Sequence, residues 1–522
     1  MSLYNGQVID IHTHIFNAHC LPVAGALHSK GVPVLLANVL KPMINSLTGK
    51  LDEYKDGGEE GFYKLIVDIE ESGREDLKLL TGALLQVSSA IIEKNIQKSG
   101  SSRLFIQSHN GRVSVEQALQ EYPLFIILLN IEAFASVNSD SFPEKQPECF
   151  YIDSDAGKDE ISRTIQHYIQ YRFEYPLTIL LASVSDIVTD GVHTGVNTLR
   201  FMMMMMLSTE TIARKLFSTY QKNNHGLKAV QLMMDMEKAY DEEPQILFKD
   251  QLHLFADTMN IINSGDKRLF GFVAFDPRRD NSTVMVKMGI RLGNLGIKLY
   301  PPLGYMPINN SNTKLDKRLI ELYDYCIEPG NDIPIIVHST AFGFQVKEGS
   351  GFLSNPAFWQ NVLEMNNHKY KSLRLCYGHA GGMGKINNGK VTVPGWGVPD
   401  KEWYGEGDMN FARTVVKHCR QYLNVYCDLS YFDEIMRINP DTSGMLSYFR
   451  HHFIREMKSD NGGAYRFSDK VMYGSDWHMP EMIPRLNKYF DFFRELFNDA
   501  ELISYRENFF FRNALKFLKQ DR

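Results

Sequence analysis

From Ser208 onward the chain alternates short apolar runs with amphipathic stretches, and this alternation limits the fold more than any other feature. The apolar runs are Leu227 to Met234, Leu269 to Phe275, Gly296 to Tyr300, Pro334 to His338, Leu373 to His379, Asn424 to Ser430 and Val471 to Asp476. Between them, apolar residues recur at three- and four-residue spacing over Ser208 to Asn223, Gln245 to Ile262, Thr283 to Leu292, Leu315 to Cys326, Pro356 to Asn366, Phe411 to Tyr422 and Asp433 to Met457. Continuous apolar strands separated by helices predict a parallel sheet covered by helices. The N-terminal stretch Val8-Ile9-Asp10-Ile11-His12-Thr13-His14 supplies an eighth strand. Eight is the number that closes a (β/α)8 barrel, so the expected fold class is α/β, a TIM barrel.

Ile15 to Leu207 is far longer than an ordinary connection and predicts a large insertion after the first strand. Ser114 to Tyr122, Asp159 to Phe173 and Asp76 to Lys98 carry helical spacing, so the insertion is expected to be mainly helical. Asp52 to Gly61 is polar and glycine-rich and is expected to be a loop. The five methionines Met202 to Met206 fit a buried apolar filler better than a thioether metal site. The expected division is residues 1–17 with 208–522 as the barrel and 18–207 as the inserted subdomain. Because it leaves the C-terminal end of a strand, it is expected beside the barrel mouth.

The strands end in polar residues: His12 and His14, then Lys298, His338, His379 and Asp476. In a barrel all strand C-termini open on one face, so these six are expected around one site. Alternation predicts His12 and His14 on one face of the first strand, with Ile9 and Ile11 on the other. Each residue alone has an ordinary explanation: a His bonding a loop carbonyl, an Asp capping a helix, a Lys reaching solvent. Six together would carry an uncompensated burial cost, which a metal ion relieves.

Composition narrows the partners. A net charge of −6 with no long Lys/Arg run excludes nucleic acid and anionic membrane surfaces as main partners. The 44% hydrophobic and 23% charged fractions give the balance of a soluble globular chain. Six cysteines without a CxxC pair predict scattered reduced thiols. The N-terminus runs directly into the first strand, leaving no room for a signal peptide, and Leu124 to Leu129 and Phe201 to Leu207 are too short to span a bilayer. The expected setting is cytoplasmic, with a small-molecule substrate; the sequence leaves a homodimer open.

The motifs Ile9 to His14, Gly296 to Tyr300 followed by Pro301-Pro302-Leu303-Gly304-Tyr305, Gly378-His379-Ala380-Gly381-Gly382 and Tyr473-Gly474-Ser475-Asp476-Trp477 resemble the amidohydrolase superfamily. The resemblance is to its branch of metal-dependent hydrolases and aminocarboxymuconate-semialdehyde-type decarboxylases, and covers the first seventeen residues and 208 to 515. It implies that His12, His14, His338 and Asp476 bind a divalent ion, Zn²⁺ or similar, and that His379 acts on the ion's water or binds a second ion. Such an ion brings the pKa of its water to about 7, which Asp476 would hold and deprotonate. Lys298 stays ambiguous: in binuclear relatives a lysine here is carbamylated and bridges two ions, whereas the surrounding motifs follow the single-ion branch.

The reading is therefore a hydrolase of an amide, lactone or ester bond in a small molecule, with Asp476, His379 and Lys298 as catalytic residues. The alternatives are a non-oxidative decarboxylase of an aromatic or unsaturated acid and a non-catalytic barrel scaffold. The loops Pro301 to Asn310, Ser339 to Gly351 and Gly381 to Met409 are expected over the site. In the last, Trp396 and Trp403 either form a lid or pack the loop down. Arg278 and Arg279 could receive a substrate carboxylate.

Overall fold

The computed structural model describes residues 3–29, 41, 44–45, 48–49, 106–108, 111–113, 205–221, 226–387, 390–405, 409–435, 440–460, 463–478 and 486–520. Contacts divide the chain into two compact units, Met1–Lys30 with Thr209–Arg522, and Gly31–Ser208. In the second unit the described residues include the antiparallel pair β2 (Ile106–Ser108) and β3 (Gly111–Val113). The helices expected at 76–98, 114–122 and 159–173, and the loop at 52–61, lie outside the described residues. Met205 and Met206 are buried, in keeping with an apolar filler.

The first unit is an eight-stranded parallel barrel. Its strands are β1 (Val8–Thr13), β4 (Leu227–Leu232), β5 (Leu269–Phe275), β6 (Gly296–Leu299), β7 (Ile335–His338), β8 (Leu375–Gly378), β11 (Val425–Leu429) and β12 (Val471–Tyr473), hydrogen-bonded in that order. The sheet closes where Thr13 bridges Trp477 in parallel and the Asp476 amide donates to the His12 carbonyl at 2.7 Å. Between β8 and β11 a hairpin, β9 (Gly384–Asn387) with β10 (Lys390–Pro394), extends the connection.

Helices cover the sheet for local reasons. Phe248–Ile262 buries Phe248, Leu252, Phe255, Met259 and Ile262, a stripe at helical spacing. Asn312 caps Thr313–Ile327 by accepting from the Lys314 amide, and Asn410 caps Phe411–Gln421 by accepting from the Arg413 amide. The helix expected from Asp433 is instead a short turn, Asp433–Ile435, and a helix over Pro440–Lys458; proline is suited to a helix start, where its missing N–H costs nothing.

The barrel floor is closed by the C-terminal helix Asn513–Leu518. Ala514, Phe517 and Leu518 join Ile9, Ile11, Val230, Leu232, Phe270, Phe272, Ile336, Cys376, Tyr426 and Met472 in one buried cluster. Burying a phenylalanine such as Phe517 contributes about 1.5–3 kcal/mol, so this plug holds the floor firmly.

That cluster corrects one expectation. Ile9 and Ile11 do not face away from the histidines; they lie inside the barrel beneath them. Asp10 pairs with Ala229 while Thr13 pairs with Gln231, so β1 carries one extra residue between these pairs. Such a bulge breaks the two-residue alternation and lets Ile11 and His12 both face inward. Among the described residues no helix is long and apolar enough to cross a membrane, and Cys20, Cys326, Cys376, Cys419 and Cys427 are buried free thiols.

Candidate metal centre

The segment after β12 returns alongside β1, and this return builds the centre. The Asp10 carboxylate accepts from the Ser475 amide (2.9 Å), the Ser475 hydroxyl (2.5 Å), the Tyr220 hydroxyl (2.8 Å) and the His12 amide (3.3 Å). Held in this way, Asp476 takes a left-handed backbone conformation, φ 64°, sparsely populated for a residue with a Cβ. Its Oδ1 then lies 3.1 Å from His14 Nε2 and 3.4 Å from His12 Nε2. The ligand atoms of His12, His14 and Asp476 all fall within 4.8 Å of one another, and all three residues are buried.

The proton positions test whether an ion fits. His14 Nδ1 is 2.8 Å from the Leu232 carbonyl, which can only accept, so Nδ1 carries a proton and Nε2 is the nitrogen turned to Asp476. His12 Nδ1 faces the Asp428 carboxylate at 3.1 Å, and burial keeps the ring neutral, which leaves its Nε2 bare. Burial pushes the Asp476 carboxyl up, but a hydrogen bond from His14 and the neighbouring rings outweigh it and hold the group ionised, at about 2. Two imidazole nitrogens and a carboxylate oxygen thus converge, and positive charge in their midst, from a His14 proton, from the Lys298 ammonium 3.0 Å from His12 Nε2 or from a bound ion, offsets their repulsion. Burial and the Lys298 ammonium drive His12 well below its ordinary value, so His12 does not carry that charge as a proton. A divalent cation suits two imidazole nitrogens and a carboxylate, and the donor set fits it.

The structure places the other expected residues as follows. His338 lies on the barrel wall, stacked on Tyr300 at 4.2 Å and 4.6 Å from the His379 ring. It stands outside the three-residue group: its Nε2 donates to the Phe342 carbonyl at 2.7 Å, and its buried Nδ1 has no partner. An orphaned, bare Nδ1 is the kind of atom that an ion satisfies. Burial lowers both His338 and His379, so both rings are neutral. Lys298 is fully inside, its Nζ 3.0 Å from His12 Nε2, and burial draws its amine down to about 8 against the pull of Asp428 and Asp476.

Space behind His12 is tight. A Cβ added at Gly378 would meet His12 Cε1 at 2.8 Å and the Val337 carbonyl at 3.2 Å. Gly378→Ala is therefore expected to push the ring off its position and cost about 1–3 kcal/mol of stability, read in a urea titration. An unchanged unfolding midpoint would show that the ring has room to move.

Asp428, Ser430 and Asp10 escaped a functional reading from the sequence. The signal for the first two was present: Asp428-Leu429-Ser430 repeats the two-residue polar spacing of His12-Thr13-His14. Arg278 and Arg279 are already committed, Arg278 to Asp276 and Arg279 to Asp235 at 2.9 Å and Glu237 at 2.7 Å, so neither stands ready for a substrate carboxylate. Trp396 and Trp403 are fully buried against each other, and Trp396 Nε1 donates to the Ala380 carbonyl, so they pack the loop down. A second His/Asp group, Asp400 with His451 and His452, already holds a cation: the Arg455 guanidinium lies 3.0 Å from His452 Nδ1 and 3.4 Å from Asp400.

No protein-family model and no curated protein matches the chain. Among solved structures it is similar to a probable 2-pyrone-4,6-dicarboxylic acid hydrolase from Acinetobacter baumannii, with 12% identity over 59% of this chain and 88% of that one and a TM-score of 0.36. It is also similar to a manganese-bound 5-carboxyvanillate decarboxylase from Novosphingobium aromaticivorans, at 13% identity over 65% and 88% with a TM-score of 0.38. A zinc-bound amidohydrolase from Burkholderia multivorans matches at 11% identity over 59% and 87%, TM-score 0.35. At this level of identity and overlap, the likenesses carry no argument about what this chain acts on.

Proposed function

We propose that this chain is a metal-dependent hydrolase of the amidohydrolase superfamily, acting on an amide, lactone or ester bond of a small molecule. The observation that carries the reading is the convergence of three buried potential ligand atoms, His12 Nε2, His14 Nε2 and Asp476 Oδ1, within 4.8 Å of one another. His338 would complete the ligand set through Nδ1. A bound divalent ion would supply Lewis acidity and a water acidic enough to react near neutral pH.

The chain's own residues divide the remaining work. Asp476, ionised at neutral pH, can take the proton of the attacking water. His379, with Nδ1 held by the Ser430 carbonyl at 3.1 Å, keeps Nε2 bare, where it can receive the water's proton from Asp476 and pass it to the leaving group. The Lys298 ammonium can donate to an oxygen that gains negative charge. Beside Lys298 lies a cavity of about 10 Å³, room for a single water molecule, with Asp235, Asp276, Tyr300 and Tyr305 among its lining residues.

The test is ion stoichiometry with turnover on a panel of lactones, esters and amides. One ion per chain is expected, with activity lost on chelation and restored by Zn²⁺ or Mn²⁺. His379→Asn is expected to lower turnover while leaving the stoichiometry at one; loss of a second equivalent in His379→Asn or Lys298→Ala would establish a two-ion centre. Release of CO₂ without hydrolysis would assign the decarboxylase course. A wild-type chain that takes no divalent ion would remove the reading.

A further inference from the structure

One carboxylate and one hydroxyl stand behind both functional histidines. Asp428, near the end of β11, is fully buried. Its Oδ2 is 3.1 Å from His12 Nδ1, and its Oδ1 accepts from the His379 amide at 3.0 Å and from the Ser430 hydroxyl at 2.5 Å. Ser430 Oγ in turn lies 3.0 Å from His12 Nδ1 and 3.0 Å from His379 Nδ1.

Donors and acceptors fall into one consistent pattern. A carboxylate only accepts, so Ser430 spends its single proton on Asp428 and its oxygen then acts as an acceptor. The Ser430 carbonyl, 3.1 Å from His379 Nδ1, is an acceptor too. Every hydrogen-bonding group behind the two Nδ1 atoms therefore accepts, and both Nδ1 atoms carry protons. On the far side of His12 the Lys298 ammonium, which only donates, is 3.0 Å from Nε2 and demands the same assignment.

We infer that Asp428, acting with Ser430, is a positioning residue that sets ring orientation and proton position in His12 and His379 together. Both Nε2 lone pairs are thereby kept on the reacting side. A carboxylate behind a ligand imidazole also strengthens it as a donor, and losing such a partner typically weakens ion binding about 10- to 100-fold. This consequence for affinity rests on the metal-centre reading; the proton assignment does not.

The substitution Asp428→Asn discriminates, because the His379 amide is a fixed backbone donor and must keep the oxygen of the new side chain. The Asn NH₂ then faces His12 Nδ1 and opposes the proton there, while the Lys298 ammonium still opposes one on Nε2. In ¹⁵N-histidine NMR spectra of the ion-free full chain, His12 and His379 are expected to be protonated on Nδ1, with the His12 Nδ1–H signal shifted or lost in Asp428→Asn and that of His379 kept. Competition against a chelator is expected to show Zn²⁺ affinity lower by about 10- to 100-fold in Asp428→Asn and on the order of fivefold in Ser430→Ala. Should Asp428→Asn not fold, the wild-type spectrum and Ser430→Ala decide. A wild-type His12 protonated on Nε2, or unchanged Zn²⁺ affinity in the folded variants of a zinc-binding wild type, overturns the inference. A wild type with both protons on Nδ1 that takes no Zn²⁺ supports the positioning and sinks the metal reading instead.

Discussion

Asp476→Asn is expected to lower turnover at least ~10²-fold on any substrate the wild type accepts, the usual scale for loss of a general base. The substitution keeps size and shape but removes the charge that faces His12 and His14 at 3.4 and 3.1 Å. It also removes the group best placed to take a proton, since burial leaves His12, His338 and His379 neutral but does not give them a negative charge. Folding is expected to survive, because the backbone contacts of this segment, Asp476 N to His12 O among them, do not use the side chain. The decisive measurement is turnover of the ion-loaded variant alongside its thermal unfolding. Full activity in a folded Asp476→Asn protein would leave the mechanism without its central base.

The largest stability effect is expected at Asp10, the carboxylate that ties β1 to the segment carrying Asp476. Asp10→Leu would strand the Ser475 and His12 amides, two backbone donors that cannot turn elsewhere. The Tyr220 hydroxyl keeps the Tyr473 hydroxyl at 2.8 Å, so it is spared. At about 1–3 kcal/mol for each stranded buried donor the loss is about 2–6 kcal/mol, a large share of a domain's stability. Asp10→Asn is the control: its oxygen can serve the two amides and its NH₂ can donate to the Ser475 and Tyr220 hydroxyls.

The same pair of proteins reports a pH dependence. Burial raises the Asp10 carboxyl from 3.8 to about 7, although the hydrogen bonds from Ser475 and Tyr220 pull the other way. A carboxyl raised on folding contributes stability that is complete below its unfolded pKa and lost as pH rises through the folded one. Between about pH 4 and 7 the wild type is therefore expected to lose on the order of 4 kcal/mol relative to Asp10→Asn. Urea titrations of both ion-free proteins across this window measure the difference; parallel curves would mean that the four donors hold Asp10 ionised throughout.

The barrel was legible because hydrophobic periodicity is a local property. Apolar runs such as Leu269 to Phe275, bounded by amphipathic helices such as Phe248–Ile262, specify a buried parallel strand wherever they occur. The polar strand ends were legible for the same reason: Lys298, His338, His379 and Asp476 interrupt or end runs that otherwise exclude charge. Given eight strands, closure alone brings their ends to one face.

What the tertiary structure alone decided lies in relations between distant segments. The extra residue in β1 is visible only from its pairing with β4, and it turns His12 inward on the same side as Ile9 and Ile11. Asp428 acquires its role from His12, 416 residues away, and an acidic residue on an apolar strand says nothing by itself about which ring it will face. His338 was legible as a strand end, but its ring orientation follows from the Phe342 carbonyl and the Tyr300 ring. Composition and spacing thus determined which residues reach the mouth of the barrel. Which nitrogen of each ring faces the centre was decided by hydrogen-bond partners that exist only once the sheet has closed, since an imidazole's proton goes to whichever side offers an acceptor.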